Sequence, residues 1–172
     1  MNIFAIDINP VKAAMQLHNK HIVKMILESA QMLSTTQRLY GNNNFLLYLI
    51  AYPYHPSTIW VRESQQNYIW LFIHLEALLQ EYTYRYKKFH KVEFIKEYLR
   101  YPPIELKCLG LTRFALAMPD KYKEEDPIQS YRNYYIGEKI QGNFWTNRKY
   151  ELDYWLLPHI KDFQFKERFL NV

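Results

Sequence analysis

Glycine and cysteine are scarce in this chain of 172 residues, which has four glycines and one cysteine, Cys108. No GxGxxG or P-loop pattern occurs, so a glycine-rich phosphate-binding loop is not expected. A single cysteine excludes an intramolecular disulfide and a cysteine-based structural zinc site. HExxH and GxSxG patterns are also missing. We therefore expect neither a metal ion nor an organic cofactor.

Long apolar runs and a signal peptide are missing as well. No apolar stretch reaches membrane-spanning length, and the short N-terminal segment carries Asp7. We expect no membrane partner and a cytoplasmic location, which is the host cytoplasm if the protein is viral. With 49% hydrophobic and 17% aromatic residues, the chain is expected to form one domain, 1–172, and a monomer is the default expectation. The net charge of +5 is compatible with a polyanionic partner.

The spacing of apolar residues predicts a single all-α domain of about four to five helices. The expected helices cover 10–39, 56–86, 91–101, 127–136 and a short stretch near 151–157. Asn9-Pro10 and Asp126-Pro127 are typical helix starts, and Gly41 is a typical stop. Residues 102–126 are predicted to be a long irregular segment, and loops of that length are often functional.

One polar stripe interrupts the otherwise apolar first helix. Its members recur at steps of three and four residues, which places them on one helix face. They are His21, Lys24, Glu28, Gln31, Thr35 and Arg38. A helix buried on most sides seldom keeps an imidazole, an ammonium and a carboxylate within two turns unless they line a cleft. The alternative is an ion-paired seam between two helices, and the spacing alone leaves both interpretations open.

The second helix carries another polar line and follows a segment of mixed chemistry. The line consists of Asn67, His74, Glu81 and Arg85. Trp60 and Arg62 lie near the predicted helix start, where free amides and the helix dipole favour an anion. Both residues therefore suit a base or phosphate contact. The alternative is that Trp60 belongs to the core and Arg62 to a solvated surface.

Three segments interleave aromatic residues with cations, namely 81–90, 131–135 and 144–150. Cations neutralise phosphates and aromatic faces stack on bases, so this composition favours nucleic acid. The DNA-contact candidates in these segments are Arg85, Arg132, Trp145 and Arg148. Tyrosine-rich helical proteins also exist for packing reasons alone.

The segment 17–28, LHNKHIVKMILE, resembles the first helix of the phage pyrimidine dimer DNA glycosylases, the endonuclease V family. That family has a Leu, a His four residues later and a Glu seven residues after the His. Leu17, His21 and Glu28 match this spacing. The resemblance implies a compact all-α enzyme with an aromatic, basic tail. It also implies cleavage of the glycosidic bond of a damaged pyrimidine in double-stranded DNA, followed by nicking of the abasic site.

The resemblance further implies roles for individual residues. The family's nucleophile is the N-terminal α-amine, which forms a Schiff base with the sugar C1′. Met1 takes that place here, because Asn2 is too large for ordinary methionine removal. Amino termini ordinarily have pKa values of about 7.7 to 8.0, so a useful fraction is unprotonated. Glu28 would stabilise the cationic sugar and move protons, and His21 would contact the sugar or phosphate. The phosphate-contact candidates by location are Lys24, Arg38 and Arg62.

Two other functions fit the same residues. The chain could be a non-catalytic DNA-binding or inhibitory phage protein, in which the stripe is only an ion-paired seam. It could also be an enzyme that acts on free or modified nucleotides. Replacing Glu28 with Gln distinguishes the first alternative, because only an enzyme has turnover to lose. A strongly salt-dependent affinity for long DNA argues against the second.

Overall fold

The computed structural model describes residues 1–160, and all regular secondary structure in that range is helical. The α-helices are α1 (Pro10–Met15), α2 (Asn19–Leu39), α3 (Pro56–Val61), α4 (Gln65–Tyr86) and α5 (Pro127–Tyr134). The all-α prediction is therefore confirmed. None of these helices is both long and apolar enough to cross a lipid bilayer. The single domain 1–172 stays a prediction, and the end of its basic tail, 161–172, lies outside the described residues.

The predicted helix starts follow the capping chemistry read from the sequence. The side chain of Asn9 accepts hydrogen bonds from the backbone N–H groups of Val11 and Lys12, at 2.9 and 3.2 Å. The Asp126 side chain accepts one from the Ile128 N–H at 2.9 Å. Gly41, with φ +88°, follows the end of α2. These local signals were sufficient because each acts within a few residues of the helix end.

Two predicted long helices are each broken in two. The helix expected over 10–39 is interrupted at 16–18, where the His18 side chain caps α2 by accepting from the His21 N–H. Contacts distant in sequence occupy the free backbone groups at this break. The indole of Trp145 donates to the Gln16 carbonyl at 2.8 Å, and the Tyr135 hydroxyl accepts from the His18 N–H at 2.9 Å. The helix expected over 56–86 breaks before Ser64, which caps α4.

The predictions for the second half of the chain need smaller corrections. The helix expected over 91–101 is a pair of 3-10 turns, Lys91–Phe94 and Lys96–Leu99. Only Val92 and Leu99 are buried there, so no continuous apolar face supports an α-helix. A π-helical turn, Tyr135–Lys139, follows α5, and a 3-10 turn, Leu157–His159, replaces the helix expected near 151–157. The segment 102–126 is irregular as predicted, apart from the 3-10 turn Asp120–Tyr122.

The N-terminal segment runs through the core before α1 begins. Its apolar side chains, Ile3 to Ile6, are at most 4% exposed. The indole of Trp70 donates to the Ile8 carbonyl at 2.7 Å, and Arg132 donates to the Ile6 carbonyl at 2.8 Å. Because α2 and α4 pack together and α1 packs on α4, this segment lies among the central helices. The first residue is thereby held against α2.

Candidate active site

Glu28 on α2 receives the N-terminus of the chain. Its Oε2 accepts a hydrogen bond from the Asn2 backbone N–H at 2.9 Å, and the α-amine of Met1 lies 3.9 Å from the same oxygen. The ammonium of Lys24 lies 3.5 Å from Oε1. The Glu28 side chain is 13% exposed. A partly buried carboxylate therefore lies between two amino groups and remains accessible to solvent.

Met1 is anchored by its side chain while its main chain stays accessible. The Met1 side chain is 2% exposed, yet the residue as a whole is only half-buried. Its exposed surface therefore lies mainly on the main chain, which includes the amine. Asn2 fixes the following peptide, because its side chain donates to the Ala117 carbonyl and accepts from the Phe4 N–H, both at 2.8 Å. The amine is thus held in place from both sides.

The amine and Glu28 open into a cleft of about 370 Å³. From α2 the cleft receives Lys24, Glu28 and Gln31, and from flanking loops it receives Tyr52 and Lys91. The Met1 amine and the two lysines give the lining more positive than negative charge. Such a cleft attracts an anionic backbone such as that of DNA.

His55 lies within electrostatic range of both reactive groups. Its Nδ1 accepts from the Ser57 N–H at 3.2 Å, so the neutral ring carries its proton on Nε2. Burial lowers the pKa of His55 below its ordinary 6.5, the N-terminal ammonium lowers it further, and the Glu28 carboxylate opposes both. His55 is not among the residues that line the cleft, so its link to the two reactive groups is electrostatic.

His21 does not occupy the position that the sequence suggested. Its ring is stacked between Phe4 and His18, with centroid distances of 4.4 and 4.0 Å. His21 is 8% exposed, and burial together with Lys24 lowers its pKa to about 3. His21 is not among the residues that line the Glu28 cleft, so its expected contact with the sugar or phosphate stays a prediction that its burial argues against. Its stacking instead supports the N-terminal segment at Phe4, whose φ of +41° is unfavourable for a bulky residue.

Three of the predicted DNA contacts are buried. Trp60 is 0% and Trp145 2% exposed, and both rings pack in the core. The Arg85 side chain is 0% exposed and lies 2.8 Å from the Glu81 carboxylate. It also donates to the carbonyls of Leu17 and Met15, at 2.9 and 3.2 Å. Direct DNA contact by these residues stays a prediction, and their burial argues against it, because tertiary packing fills the surroundings of each side chain.

Two further predicted arginines support the backbone. Arg38 donates to the carbonyls of Tyr48, Leu47 and Asn44, at 2.6, 2.7 and 3.2 Å. Arg132 donates to the Ile6 carbonyl and lies 3.7 Å from the Asp7 carboxylate. Their guanidinium groups bind backbone carbonyls of the fold, which argues against DNA contact by Arg38 and Arg132, although both residues are only half-buried and the contact stays a prediction.

The remaining candidates lie nearer the surface. Lys24 has a side chain that is 64% exposed and reaches the cleft. Arg62 lines a different cleft of about 460 Å³, together with Glu63 and Lys107. Arg148 is half-buried and donates to the Tyr150 carbonyl at 3.0 Å. For these three residues DNA contact stays a prediction.

Several residues at the cleft were missed as site candidates in the sequence. Tyr52 lies in a loose apolar stretch, His90 ends the aromatic and basic segment 81–90, and Lys91 follows that segment. No local pattern distinguishes them, because loop packing against α2 brings them to Glu28. Within residues 1–160, no three or more His, Cys, Asp or Glu side chains converge in a way that could hold a metal ion.

Comparison with known proteins gives one result. A sequence model of the family described as pyrimidine dimer DNA glycosylase matches residues 1–94, more than half of the chain. No curated protein and no solved structure gave a match. The matched region includes the N-terminal segment, α1 to α4 and the cleft residues from Met1 to Lys91.

Proposed function

Because the chain belongs to the pyrimidine dimer DNA glycosylase family, we propose that it cleaves the N-glycosidic bond of a damaged or modified pyrimidine in double-stranded DNA. The α-amine of Met1 is the nucleophile, and Glu28 is the acid, base and electrostatic residue. Nicking at the resulting abasic site follows through an imine. The observation that carries this proposal is the 3.9 Å separation between the Met1 amine and Glu28 Oε2 at an open cleft.

The first chemical step uses the lone pair of the amine. The unprotonated nitrogen of Met1 attacks C1′ of the target nucleotide, and the bond from C1′ to the base breaks. The base leaves with the bonding electrons and takes up a proton. The nitrogen then loses a proton, the bond from C1′ to O4′ breaks, and O4′ takes up a proton, which gives an iminium between Met1 and C1′. Amines suit this chemistry because they form Schiff bases with carbonyl-level carbons.

Glu28 stabilises the positive charge that develops in this reaction and also transfers protons. Positive charge develops at C1′ and later on the iminium nitrogen, and a carboxylate in a partly buried site stabilises it. The Asn2 N–H and the Lys24 ammonium hold the two carboxylate oxygens in place.

The second step breaks the DNA strand. The iminium acidifies the hydrogens on C2′, and a base at the cleft, for which Glu28 is positioned, removes one of them. The electrons move to form a double bond between C2′ and C3′, and the 3′ phosphate leaves. Water then hydrolyses the imine and regenerates the Met1 amine. No electron donor or acceptor is needed, since every step is a proton or group transfer.

Borohydride trapping tests the assignment of the nucleophile. The protein is produced behind a fusion partner whose removal regenerates Met1 as the first residue, and samples before and after removal are compared. Each is mixed with duplex DNA that contains one abasic site and is reduced with borohydride. We expect a covalent adduct only after removal, and peptide mapping should locate it on Met1. The fused sample is the matched control, since it has the same chain and the same lysines.

Two outcomes contradict the proposal in different ways. An adduct on Lys24 or Lys91, present before and after removal, would assign the nucleophile to a side chain. No adduct in either sample, with DNA still bound, would exclude the imine and leave a glycosylase that uses water or a non-catalytic binding protein. Formation of alkali-labile abasic sites in a panel of damaged duplexes, including one with a pyrimidine dimer, then distinguishes these two.

A further inference from the structure

The loop between α2 and α3 has an unusual surface. Residues 44–54, which we call the apolar loop, contain no charged side chain, although 23% of the whole chain is charged. Four of its side chains are among the most exposed large apolar groups in residues 1–160. They are Phe45, Leu49, Tyr52 and Tyr54, with exposed fractions of 87, 78, 70 and 85%. Single exposed apolar residues are common, but such a concentration in one segment indicates a contact surface.

The apolar loop is held in place by the polar stripe of α2. Arg38 donates to three loop carbonyls, those of residues 44, 47 and 48. The Thr35 hydroxyl donates to the Ala51 carbonyl at 3.3 Å and accepts from the Ala51 N–H at 3.0 Å. Leu47, 3% exposed, inserts into the core. The exposed side chains therefore project from an anchored backbone.

The path of the loop leads back to the reactive groups. Arg38 holds the first part of the loop and Thr35 holds a later part. The loop therefore runs back along α2 towards Glu28. Tyr52 directly follows Ala51, which Thr35 holds, and lines the cleft with Glu28 and the Met1 amine. Its φ of +47° is unfavourable for a bulky side chain, and this conformation leaves the residue 70% exposed. The contact surface is thus continuous with the candidate active site.

We propose that the apolar loop is a DNA wedge, in which Tyr52 enters the base stack beside the target nucleotide and Leu49 and Tyr54 contact the neighbouring bases. This inference rests on the proposed function, because it needs C1′ in the Glu28 cleft. A nucleotide in a stacked duplex cannot bring C1′ to the partly buried Met1 amine, so the duplex must be opened locally. Apolar and aromatic side chains open duplexes by insertion between base steps.

The chemistry of the loop favours bases over phosphates as its contact. A segment that grips phosphates needs cations, and the apolar loop has none. The cleft that Tyr52 lines contains two cations, Lys24 and Lys91. Cleft and loop together therefore offer cations for the DNA backbone and apolar side chains for unstacked bases.

Fluorescence of 2-aminopurine tests the wedge without requiring any chemistry. The probe is a duplex with an uncleavable abasic analogue and 2-aminopurine as its neighbour, which brightens when it is unstacked. Wild-type protein should raise the emission, and Tyr52→Gly should largely remove that rise. Glycine fits the positive φ at this position, so the ring is lost without added backbone strain. Tyr52→Trp should keep the signal, and Tyr101→Ala, which removes another exposed ring, is the matched control.

Borohydride trapping on two substrates separates this inference from the proposed function. Tyr52→Gly should trap a duplex abasic site roughly 10-fold more slowly than wild type, since one stacking contact is lost. It should trap the same site in single-stranded DNA at the wild-type rate, because nothing must be unstacked there. If wild type traps neither substrate but raises 2-aminopurine emission, the wedge stands and the imine chemistry fails.

Three results would overturn the wedge. The first is unchanged emission and duplex trapping in both Tyr52→Gly and Leu49→Ala. The second is an equal loss on single-stranded and duplex DNA, which would make Tyr52 a general substrate contact. The third is a wild-type dimer that Leu49→Glu dissociates, because the loop would then be covered by a second copy of the chain. Circular dichroism of each variant establishes that it is folded.

Discussion

Two carboxylate and cation pairs of identical spacing have opposite surroundings in this molecule. Lys24 and Glu28 on α2, and Glu81 and Arg85 on α4, are both four residues apart. In the α4 pair the side chains are 4% and 0% exposed, and the closest atoms are 2.8 Å apart. In the α2 pair the cation is 64% exposed, the separation is 3.5 Å, and the carboxylate also faces the Met1 amine. The same spacing of opposite charges, in reversed order along the chain, therefore produces a buried structural pair on α4 and an open pair on α2.

The difference lies in what else each charged group contacts. Arg85 donates its remaining hydrogen bonds to the carbonyls of Leu17 and Met15 and to Asn19, and Glu81, which lines another cleft, is only 4% exposed. Glu28 is bonded to the Asn2 N–H, lies near the Met1 amine and the exposed Lys24 ammonium, and opens into a cleft. A buried ion pair whose hydrogen bonds are satisfied locks local structure, whereas a carboxylate with accessible partners can exchange protons. Charge spacing identifies both pairs but does not distinguish them.

The largest expected effect is on the open pair. Glu28→Gln keeps an oxygen that can accept from the Asn2 N–H but removes the charge and the acid–base function. Glycosidic cleavage in a single-turnover experiment should slow by about 10²- to 10⁴-fold. DNA affinity and the free energy of unfolding should stay close to wild type. If Glu28→Gln cleaves at the wild-type rate, Glu28 has no chemical role. If the wild-type protein itself never cleaves, the alternative of a non-catalytic DNA-binding protein is favoured.

The buried pair on α4 should show the reverse pattern. Arg85→Met leaves the buried Glu81 carboxylate without its cation, which typically costs about 3–5 kcal/mol of unfolding free energy. Cleavage per folded molecule should be unchanged at temperatures well below the unfolding transition. Urea unfolding measures the first quantity and single-turnover kinetics the second. Arg100→Met, at the exposed pair with Glu97, is the control and should change stability little.

A buried histidine on α4, His74, should make the stability of the protein depend on pH. Burial lowers the pKa of His74 on α4 to about 3, and neither ring nitrogen has a hydrogen-bond partner in the described part of the chain. The unfolded chain takes up this proton below pH 6.5, while the folded chain resists it until about pH 3. Neutral His74 therefore contributes its full share to the free energy of unfolding above pH 6.5. As the pH falls from 6.5 towards 3, this contribution decreases by about 1 kcal/mol per pH unit.

His74→Phe should remove this part of the acid sensitivity. The new ring can keep the stacking of His74 on Trp70, whose centroid lies 5.2 Å away. Urea unfolding at several pH values between 4 and 7 should show a slope that is smaller by about one proton. His18 and His21, whose pKa values burial lowers to about 2 and 3, should leave a residual slope of the same sign. An unchanged slope would mean that His74 is already protonated in the folded protein.

The sequence predicts features that depend on near neighbours and misses those that depend on distant ones. The caps at Asn9 and Asp126 act within three residues, and the α2 stripe correctly places Lys24 and Glu28 on one face. The break before α2 depends on Trp145, which is 129 residues from Gln16. The burial of Trp60 depends on contacts with Trp70 and Phe114.

The cleft illustrates the same limit at the candidate site. Arg38 and Thr35 appear in the sequence as parts of one polar stripe, but their task is to bind the backbone of the apolar loop. That contact carries Tyr52 to the cleft, and no local pattern could indicate it. A polar stripe therefore indicates that a helix face contacts polar groups. Only the tertiary structure shows whether that face lines a cleft or binds the backbone of a loop.

The smallest effect is expected for Lys24, the exposed cation of the open pair. Lys24→Met should leave unfolding almost unchanged, since exposed ion pairs contribute little. If Lys24 contacts a DNA phosphate, binding should weaken a few-fold at low salt, and the slope of log affinity against log salt should fall by about one. Lys12→Met is the matched control on α1, outside the cleft lining.

The kinetics of Lys24→Met decide how far the two pairs really differ. With DNA saturating, cleavage should proceed near the wild-type rate, because Glu28 keeps its hydrogen bond from the Asn2 N–H without the lysine. A large loss of rate with an unchanged salt slope would contradict this expectation. Lys24 would then act as Arg85 does, by fixing its carboxylate, and the α2 pair would owe its reactivity to the Met1 amine rather than to its exposure.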